Sequence, residues 1–499
     1  MVLSQLYLNA MKWTSLLQEV QVIGTPGSVN PDIQGVAYDS RMVRENYLFA
    51  ALAGSKQQGS RFVNEALQRG AVALVAEVPM AHPAHVAFAQ VADARRALAD
   101  ISCAFYEHPS KYLQTIGVTG TNGKTTASFL TKAIMAAAGR APGLLGTVQY
   151  EIGQRRIPST RTTPESADLQ ALLRQMLVAG CRSAVMEVSS HALAQKRVWG
   201  IDFDVAVFTN LTEEHLDYHR DMQGYFAAKS ALFCGLGHRE KKSVAVINLD
   251  DDWGRKLLGG GHPRVQEITY GLDSHAQVRA ENLQLTSMGS SFLLQTPWGA
   301  AEVRLPLLGR YNVSNALASC AACGSLGIDP ALMAEVLGRM PSVPGRLEAV
   351  ANRRGIHVFV DYAHTADALK NVLTALRECA DQRIILVFGC GGDRDRSKRA
   401  PMGSVASRMA DYSIVTTDNA RSEDPADIAG EVLAGFGSDR QVDMILDRSE
   451  AIARAIGLAE RGDIVLIAGK GHETYQEIGH TVRPFDDREV ARTVLGEEA

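Results

Sequence analysis

Six apolar runs in this chain lack the alternation of polar and apolar residues that a half-wet strand requires. They are "TIGVTG", "SAVMEV", "VAVFTNL", "SVAVINLD", "RIILVFGCGG" and "DIVLIAGKGHE". A strand with one solvated face repeats with period two, so these runs must be covered on both faces. Helical patterns separate them, with "TTASFLTKAIMAAAGR" after the first and "ADALKNVLTALREC" before the fifth. Doubly covered strands alternating with helices build parallel sheets, which places the chain in the α/β class. Nearly every run ends in a charged or glycine-rich tip, the edge at which open α/β sheets bind ligands.

At 499 residues the chain is too long for one hydrophobic core. Three blocks are expected: 1–108, 109–340 and 341–499. The first carries shorter strand-like runs, "GVAYDS", "YLFAAL" and "AVALVAEV", around the helical pattern "RFVNEALQRG". "HPSKYLQ" leads into the second block, and "MPSVPGRLE", with Pro341, Pro344 and Gly345, opens the third. Net charge is -4 and the pI about 6.4, so the surface is not that of a nucleic-acid or polyanion binder. Any anionic ligand must then be held by local arginines and backbone N–H groups.

The N-terminal stretch has no basic segment followed by an apolar core, and no run approaches the length of a membrane span. A cytoplasmic protein without membrane insertion is expected. Seven dispersed cysteines argue against a disulfide framework. Cys320 and Cys323 form a lone C-x-x-C in the alanine-rich "NALASCAACGSLG", which reads as a pair of buried helix thiols rather than a zinc or redox site.

Chemistry concentrates first in "GVTGTNGKTT", residues 117–126. It sits between a strand and a helix, as a phosphate loop must, yet Val118 occupies the place of the usual leading glycine. Glycines let backbone N–H groups approach phosphates, and the helix N-terminus adds a favourable dipole. Lys124 would reach the terminal phosphates and the Thr125 hydroxyl would ligate Mg²⁺. Glu187 of "MEVSSHALAQKRV" ends a strand near this loop, where a carboxylate suits Mg²⁺. In "TNLTEEHLDYHRDMQGYFAAKSALF", His215 and His219 form an H-x-x-x-H, but Leu216 replaces the general base of a zinc protease and no third soft ligand is evident.

"TGTNGKTT" resembles the variant phosphate loop of the Mur ligase family, which includes the folylpolyglutamate synthases. The likeness extends over almost the whole chain. It implies a UDP-binding N-terminal α/β domain, a central P-loop ATPase domain with a mainly parallel sheet, and a C-terminal Rossmann-like domain. The resemblance assigns ATP to Gly120, Thr121, Asn122, Gly123, Lys124, Thr125 and Thr126, with Asn312 near the adenine, Arg346 on the phosphates and Asp361 at the ribose. It implies Mg²⁺ held by Thr125, Glu187, His215 and Lys229, the last as a carbamate, and it makes Lys124, Lys229 and His215 the catalytic set. UDP-MurNAc-dipeptide contacts fall on Thr162 and Thr163, on Ser189, Gln195 and Arg197, and in the first block on Ser40, Ser55, Lys56 and Gln57. "GSKQQGSRFV" departs there from the family's acidic-Gly-His pattern, and a turn role for Ser40 is an equal reading.

Substrate choice is read at two strand tips of the third block. "GCGGDRDRSKR" carries Arg394, and "TTDNARSEDP" carries Asp418, Asn419, Ala420 and Arg421. Family members that add meso-diaminopimelate resemble this with Asp-Asn-Pro-Arg, and "AGKGHETYQ" completes the pocket through Gly469 and Glu473. Diaminopimelate exceeds lysine by one distal carboxylate, which an arginine can bind through two hydrogen bonds. An arginine left unpaired by lysine would discriminate by on the order of 10³–10⁵. The implied activity is ATP-dependent amide ligation of meso-diaminopimelate to UDP-MurNAc-L-Ala-D-Glu through an acyl phosphate, by a monomer. The alternatives are a lysine-adding or folate-glutamating ligase and, from another class, a non-catalytic P-loop switch.

Overall fold

The computed structural model describes residues 10–24, 27–53, 59–238, 241–286, 289–379, 382–437 and 441–496. Three α/β sheets follow one another along the chain. The first has five strands, with Ala87–Val91, Ala71–Ala76, Tyr47–Ala50 and Gly35–Ala37 running parallel and Val22–Ile23 antiparallel at one edge. Helix Ala94–Phe105 covers it, capped by the Asp93 side chain, which accepts from Arg96 N–H.

The central sheet has eleven strands. Gln114–Thr119 lies in its middle, parallel to Ser183–Glu187 on one side and Val205–Phe208 on the other. Ser243–Asn248 and Val265–Gly271 continue the parallel set. The four expected strands of this block are fully or almost fully buried along their lengths, as their unbroken apolar character demands. Beyond them the sheet turns antiparallel: Val278–Thr286, Gly289–Thr296 and Gly299–Leu305 form a meander that the sequence analysis did not anticipate. A second unforeseen piece, the hairpin Gln149–Ile152 with Arg155–Pro158, closes the opposite edge.

Helix Lys124–Ala137 follows the phosphate loop and packs on helix Arg310–Ser325. Small residues in "NALASCAACG" let the two backbones come close, and Ser319 Oγ donates to Ala127 O at 3.0 Å across the contact. Cys320 and Cys323 lie on this buried helix with no exposed surface, and burial pushes the Cys320 thiol up to about 12. They are core residues.

The third sheet has the strand order Glu348–Val350, His357–Asp361, Ile464–Ala468, Ile384–Phe388, Tyr412–Val415, Val442–Met444. All but the first run parallel. The last parallel strand, Ile464–Ala468, inserts between the first two, and the chain leaves it toward helix Asp487–Leu495 on one face of the sheet while it leaves neighbouring Ile384–Phe388 toward helix Arg399–Met409 on the other. Such a switch point opens a crevice beyond the carboxyl ends of the strands. Five consecutive apolar side chains are buried in both Ile384–Phe388 and Ile464–Ala468, each contributing about 1.5–3 kcal/mol relative to an exposed position.

One charge pair ties this domain's last helix to its sheet. Arg448, wholly buried, meets wholly buried Asp487 through two hydrogen bonds of 2.7 Å and donates a third to Ala468 O at 3.0 Å. Removing one partner strands the other charge in a dry interior. Asp487→Ala should therefore cost about 3–5 kcal/mol in urea unfolding of the third sheet. A loss below about 1 kcal/mol would mean that water reaches the guanidinium.

Candidate active site

Parallel strands point their carboxyl ends the same way, so the chemistry-bearing loops of the central sheet gather at one edge. From Thr119 the chain enters the loop Gly120–Gly123, and Lys124 begins the helix. Gly120 has φ +148 and Gly123 φ +87, and a side chain at either would collide, with Thr209 Oγ1 at 1.8 Å or Asn315 Oδ1 at 2.2 Å. Both positions require glycine, and the missing leading glycine at Val118 falls inside the buried strand instead.

The loop borders a cleft of about 490 Å³ that also takes residues from the third sheet. Its walls include all of Thr121 to Thr126, Thr147, Thr162, Glu187, Ser189, Glu214 and His215 on one side. Tyr311 and Asn315 of helix Arg310–Ser325 line it next to the loop, and Arg346, Asp361, His364 and Ala368 close the other side. Thr125 Oγ1 donates to Glu187 Oε2 at 3.1 Å, and Thr147 holds both Glu187 oxygens through its N–H (2.8 Å) and hydroxyl (2.9 Å). Hard oxygen donors from Thr125 and Glu187 beside a phosphate cradle fit the expected Mg²⁺. Arg346 Nη2 reaches Thr125 Oγ1 at 3.2 Å, while its buried Nε lacks a protein partner, as an arginine awaiting an anion would.

Two lysines converge on one backbone carbonyl. Lys124 Nζ donates to Gly120 O at 2.9 Å and Thr121 O at 2.8 Å; Lys229 Nζ donates to the same Gly120 O at 2.7 Å. Lys229 is 1% exposed and lies 4.6 Å over the Tyr225 ring. Burial depresses both ammonium groups, Lys229 strongly, and Lys124 pushes Lys229 further down. His215 stands at the same edge with a left-handed backbone (φ 58), its ring 6.2 Å from Tyr225 and 4.7 Å from His191. Burial lowers His215. Its neighbour Glu214, which burial alone would raise, is held below its usual range by His215 and Lys124. His219 turns away, its Nε2 3.0 Å from Ser190 Oγ and its ring stacked on Tyr225.

Thr163 Oγ1 donates to Glu187 O at 2.8 Å and accepts from Ser189 N–H at 3.1 Å; Arg197 donates to Thr163 O at 3.0 Å and to Gln195 Oε1 at 2.6 Å. Thr162 meets Thr147 at 3.1 Å. These five residues are thus linked around one strand tip. Ser40 lies apart in the first sheet, opening a short 3-10 turn and donating to Glu65 at 2.7 Å, which fits its turn reading. Ser55, Lys56 and Gln57 lie outside the described residues. Asp361 accepts from Leu347 N–H and Ala363 N–H, both at 2.7 Å, and burial raises its pKa. Asn312 is buried, donating to Leu308 O at 2.9 Å and accepting from Asn315; its neighbours Tyr311 and Asn315 line the cleft instead.

The expected amino-acid residues meet at the switch point of the third sheet. Asn419 Nδ2 donates to Glu473 Oε2 at 2.8 Å, and Arg421 Nη1 donates to Gly392 O at 2.7 Å. Gly469, at φ +113, lies against Asp418, whose Oδ2 would be 2.7 Å from any added Cβ. Arg394 stays on the exposed rim, donating to Asp393 O at 3.2 Å. Burial raises the Glu473 carboxyl. Sequence reasoning missed Lys470, between Gly469 and the turn to Glu473, because a lysine in a glycine-rich tip reads as solvated. It is fully buried.

Three family models match the chain: "Mur ligase family, catalytic domain" over 32–106, "Mur ligase middle domain" over 118–323, and "Mur ligase, glutamate ligase domain" over 345–471. The chain belongs to the Mur ligase family. A UDP-N-acetylmuramoyl-L-alanyl-D-glutamate–2,6-diaminopimelate ligase from Geobacter metallireducens is 45% identical, with 96% of this chain and 97% of that one covered. The ligase of the same name from Geobacillus thermodenitrificans is 45% identical over 98% of this chain and all of its own. A solved structure of such a ligase matches with TM-score 0.69 at 32% identity, covering 98% of this chain and 99% of that chain. Folylpolyglutamate synthase from Mycobacterium tuberculosis, solved with ADP and AMPPCP, shares the fold at 20% identity and TM-score 0.63, covering 80% of this chain and 94% of that one.

Besides Arg346 on Thr125, a further contact joins the two sides of the cleft. Asp367 Oδ2, in the first turn of helix Ala366–Cys379, accepts from Asn122 Nδ2 and from Thr212 Oγ1, each at 3.0 Å. A phosphate-loop residue is thereby held by the third domain. Asp367→Ala should weaken the ATP binding expected of the loop several-fold, and Thr212→Val should add little to that loss. A double-mutant cycle on ATP affinity should return a coupling of about 0.5–3 kcal/mol; strictly additive losses would mean the contact does not set the loop.

Proposed function

We propose that this chain is an ATP-dependent amide ligase that joins meso-2,6-diaminopimelate to the D-glutamate of UDP-MurNAc-L-Ala-D-Glu in peptidoglycan synthesis. The observation that carries the reading is the shared cleft. In it a glycine-cradled phosphate loop faces Arg346, whose buried Nε is unpartnered, and Asp361 at one strand tip of a second sheet, and the neighbouring tips of that sheet, outside the cleft lining, hold Asn419, Arg421 and Glu473. The near-full-length identity to ligases so named supports the substrate assignment.

In this reading the substrate carboxylate attacks the γ-phosphorus of ATP, giving an acyl phosphate and ADP, and the diaminopimelate amine then displaces phosphate. A carboxylate approaching a polyphosphate meets like charge, which the Lys124 ammonium and Arg346 guanidinium offset inside a low-dielectric cleft. The Gly123 N–H and the first turn of helix Lys124–Ala137 orient the phosphates, while Thr121 N–H and Asn122 N–H donate to Asn210 and hold the loop in shape. Thr125 and Glu187, with His215 and Lys229 as its carbamate, would hold Mg²⁺, which when bound supplies further neutralisation of phosphate charge. In forming that carbamate the Lys229 ammonium loses two protons as its nitrogen gains an N–C bond to carbon dioxide, which changes a buried cation into an anion. Thr162, Thr163, Ser189, Gln195 and Arg197 bind the muramoyl dipeptide, with Ser40 and the stretch 55–57 toward the uridine end. Asn312 serves the adenine region through the wall it shares with Asn315.

We divide the chain at 108 and 340 into the UDP, ATP and amino-acid domains. Every residue invoked belongs to one chain, so a monomer suffices, and both nucleotide substrates belong to the cytoplasm. Among the described residues no helix is long and apolar enough to cross a membrane.

ADP release with Mg²⁺-ATP and UDP-MurNAc-L-Ala-D-Glu should require diaminopimelate and fall by on the order of 10³ or more with L-lysine. Equal turnover of lysine would remove the assignment of Arg421, and ATP hydrolysis or binding without ligation would favour the P-loop switch. Lys229→Ala should abolish ligation and recover part of it with added short carboxylates. Full activity without them would exclude the carbamate.

A further inference from the structure

Lys470 is the one fully buried ammonium within the pocket read above as the amino-acid site. Its Nζ donates to Asn419 Oδ1 at 3.1 Å and to Glu473 Oε2 at 3.2 Å, and lies 3.8 Å from Asp418 Oδ1. The Tyr475 ring lies 5.5 Å away. The side chain has no exposed surface, whereas those of Asp418 and Glu473 retain 10% and 20%. The lysine is therefore behind the two acids, and the acids are what an incoming ligand meets.

Two consequences follow from this placement. The first is orientation. Asn419 Oδ1 accepts from both Lys470 and Glu477 N–H (3.0 Å), so its Nδ2 must turn to Glu473, where it donates at 2.8 Å. The lysine fixes which end of the amide faces the ligand. The second is charge. Asp418 and Glu473 bring two negative charges to the pocket floor, and Lys470 cancels one. Arg421 is already matched by Glu477, with Nε and Oε2 3.3 Å apart. A floor with one uncancelled negative charge suits an amino acid whose distal end is a zwitterion, an ammonium beside a carboxylate. A floor with two would draw a ligand whose distal end is an ammonium alone.

We propose that Lys470 is a specificity-determining residue. By cancelling one of the two negative charges of Asp418 and Glu473 from behind, it tunes the pocket for the net-neutral diaminopimelate and against the net-cationic lysine. The inference rests on the ligase reading above, and adds a determinant that acts through pocket charge rather than by contact with the distal carboxylate. It is a positioning role, exerted through Asn419 and Glu473.

The test is the ratio of kcat/KM for meso-diaminopimelate to that for L-lysine, measured by ADP release. Lys470→Met removes the charge at similar length, and the ratio should fall at least tenfold because lysine gains relative to diaminopimelate. Lys470→Arg keeps the charge, and should hold the ratio within about threefold of wild type even if both rates drop. A ratio unchanged in Lys470→Met, or lysine turnover still undetectable while diaminopimelate turnover falls, would overturn the proposal and leave the lysine a purely structural group. Should Lys470→Met fail to fold, Lys470→Gln gives the same comparison. If neither neutral variant folds, a shifted ratio in Lys470→Arg would itself count against a charge role. A wild-type chain that ligates neither amino acid would instead sink the ligase reading, so the two failures are distinguishable.

Discussion

A strand buried on both faces has little place for a polar side chain along its length beyond a small hydroxyl with its own partner, such as Thr115 or Ser243, and this restriction arranges the whole molecule. Thr119, Glu187, Asp361 and the Gly469–Lys470 step all stand at or just beyond the carboxyl ends of such strands. Because the strands that carry these tips run parallel within each sheet, the polar tips share an edge. Two such edges face each other across the cleft, so groups separated by more than 200 residues, such as Thr125 and Arg346, come within hydrogen-bonding distance. The active site is thus a by-product of how apolar strands must be covered, with its identity set by the few residues at the tips.

The cleft is electrostatically unfinished in a way that suits its proposed work. Lys124, Lys229 and Arg346 gather beside Glu187, Glu214 and Asp361, and burial disfavours the charged forms of both lysines and of Asp361. Two ammonium groups sharing Gly120 O is a costly arrangement in a dry site, and one that improves when an anion enters or when one of the pair changes sign. Phosphate would do the first and the proposed carbamylation of Lys229 the second. The strain lies in the charges, while the glycine loop beneath is rigidly seated by Asn210 and Thr209, which bond Asn122 N–H at 2.9 Å and Asn122 O at 2.6 Å.

Legibility from the sequence followed the range of the forces involved. The buried parallel strands were readable because a doubly covered strand leaves a local mark, an unbroken apolar run. The meander from Val278 to Leu305 was not, since its strands are half exposed and their partner choice depends on a sheet edge formed elsewhere. Glycine positions in the phosphate loop were legible because close approach and positive φ are local demands. Asp367, Lys470 and Glu214 were passed over for the opposite reason. Each looks like a solvated charge in its own segment, and only the contacts of Asp367 to Asn122 and of Lys470 to Asn419, and the nearby charge of Lys124 acting on Glu214, give it a function. Asn312 sits between these cases, since its motif marked the right helix while the neighbouring side chains form the cleft wall.

The tip carrying Arg421 shows how one local departure is absorbed. Ala420 occupies the place where related sequences have proline, a residue that would stiffen the loop by fixing φ. Arg421 itself is at φ 52, an uncommon conformation for a side chain of its size, so something must hold it there. A short β-bridge does so: Arg421 N–H donates to Glu477 O at 3.1 Å, and its carbonyl accepts from Gly479 N–H at 2.7 Å. Glu477 and Gly479 belong to the hairpin of Tyr475–Ile478 and Thr481–Pro484, which follows directly from Lys470 and Glu473. The fully buried Ala420 methyl fills the core beneath. Rigidity that a proline would supply within the loop is here imposed from outside, by the segment that also carries the other half of the pocket. The guanidinium and Glu473 are therefore positioned relative to each other by backbone hydrogen bonds, so alanine at position 420 leaves the proposed amino-acid site held in place.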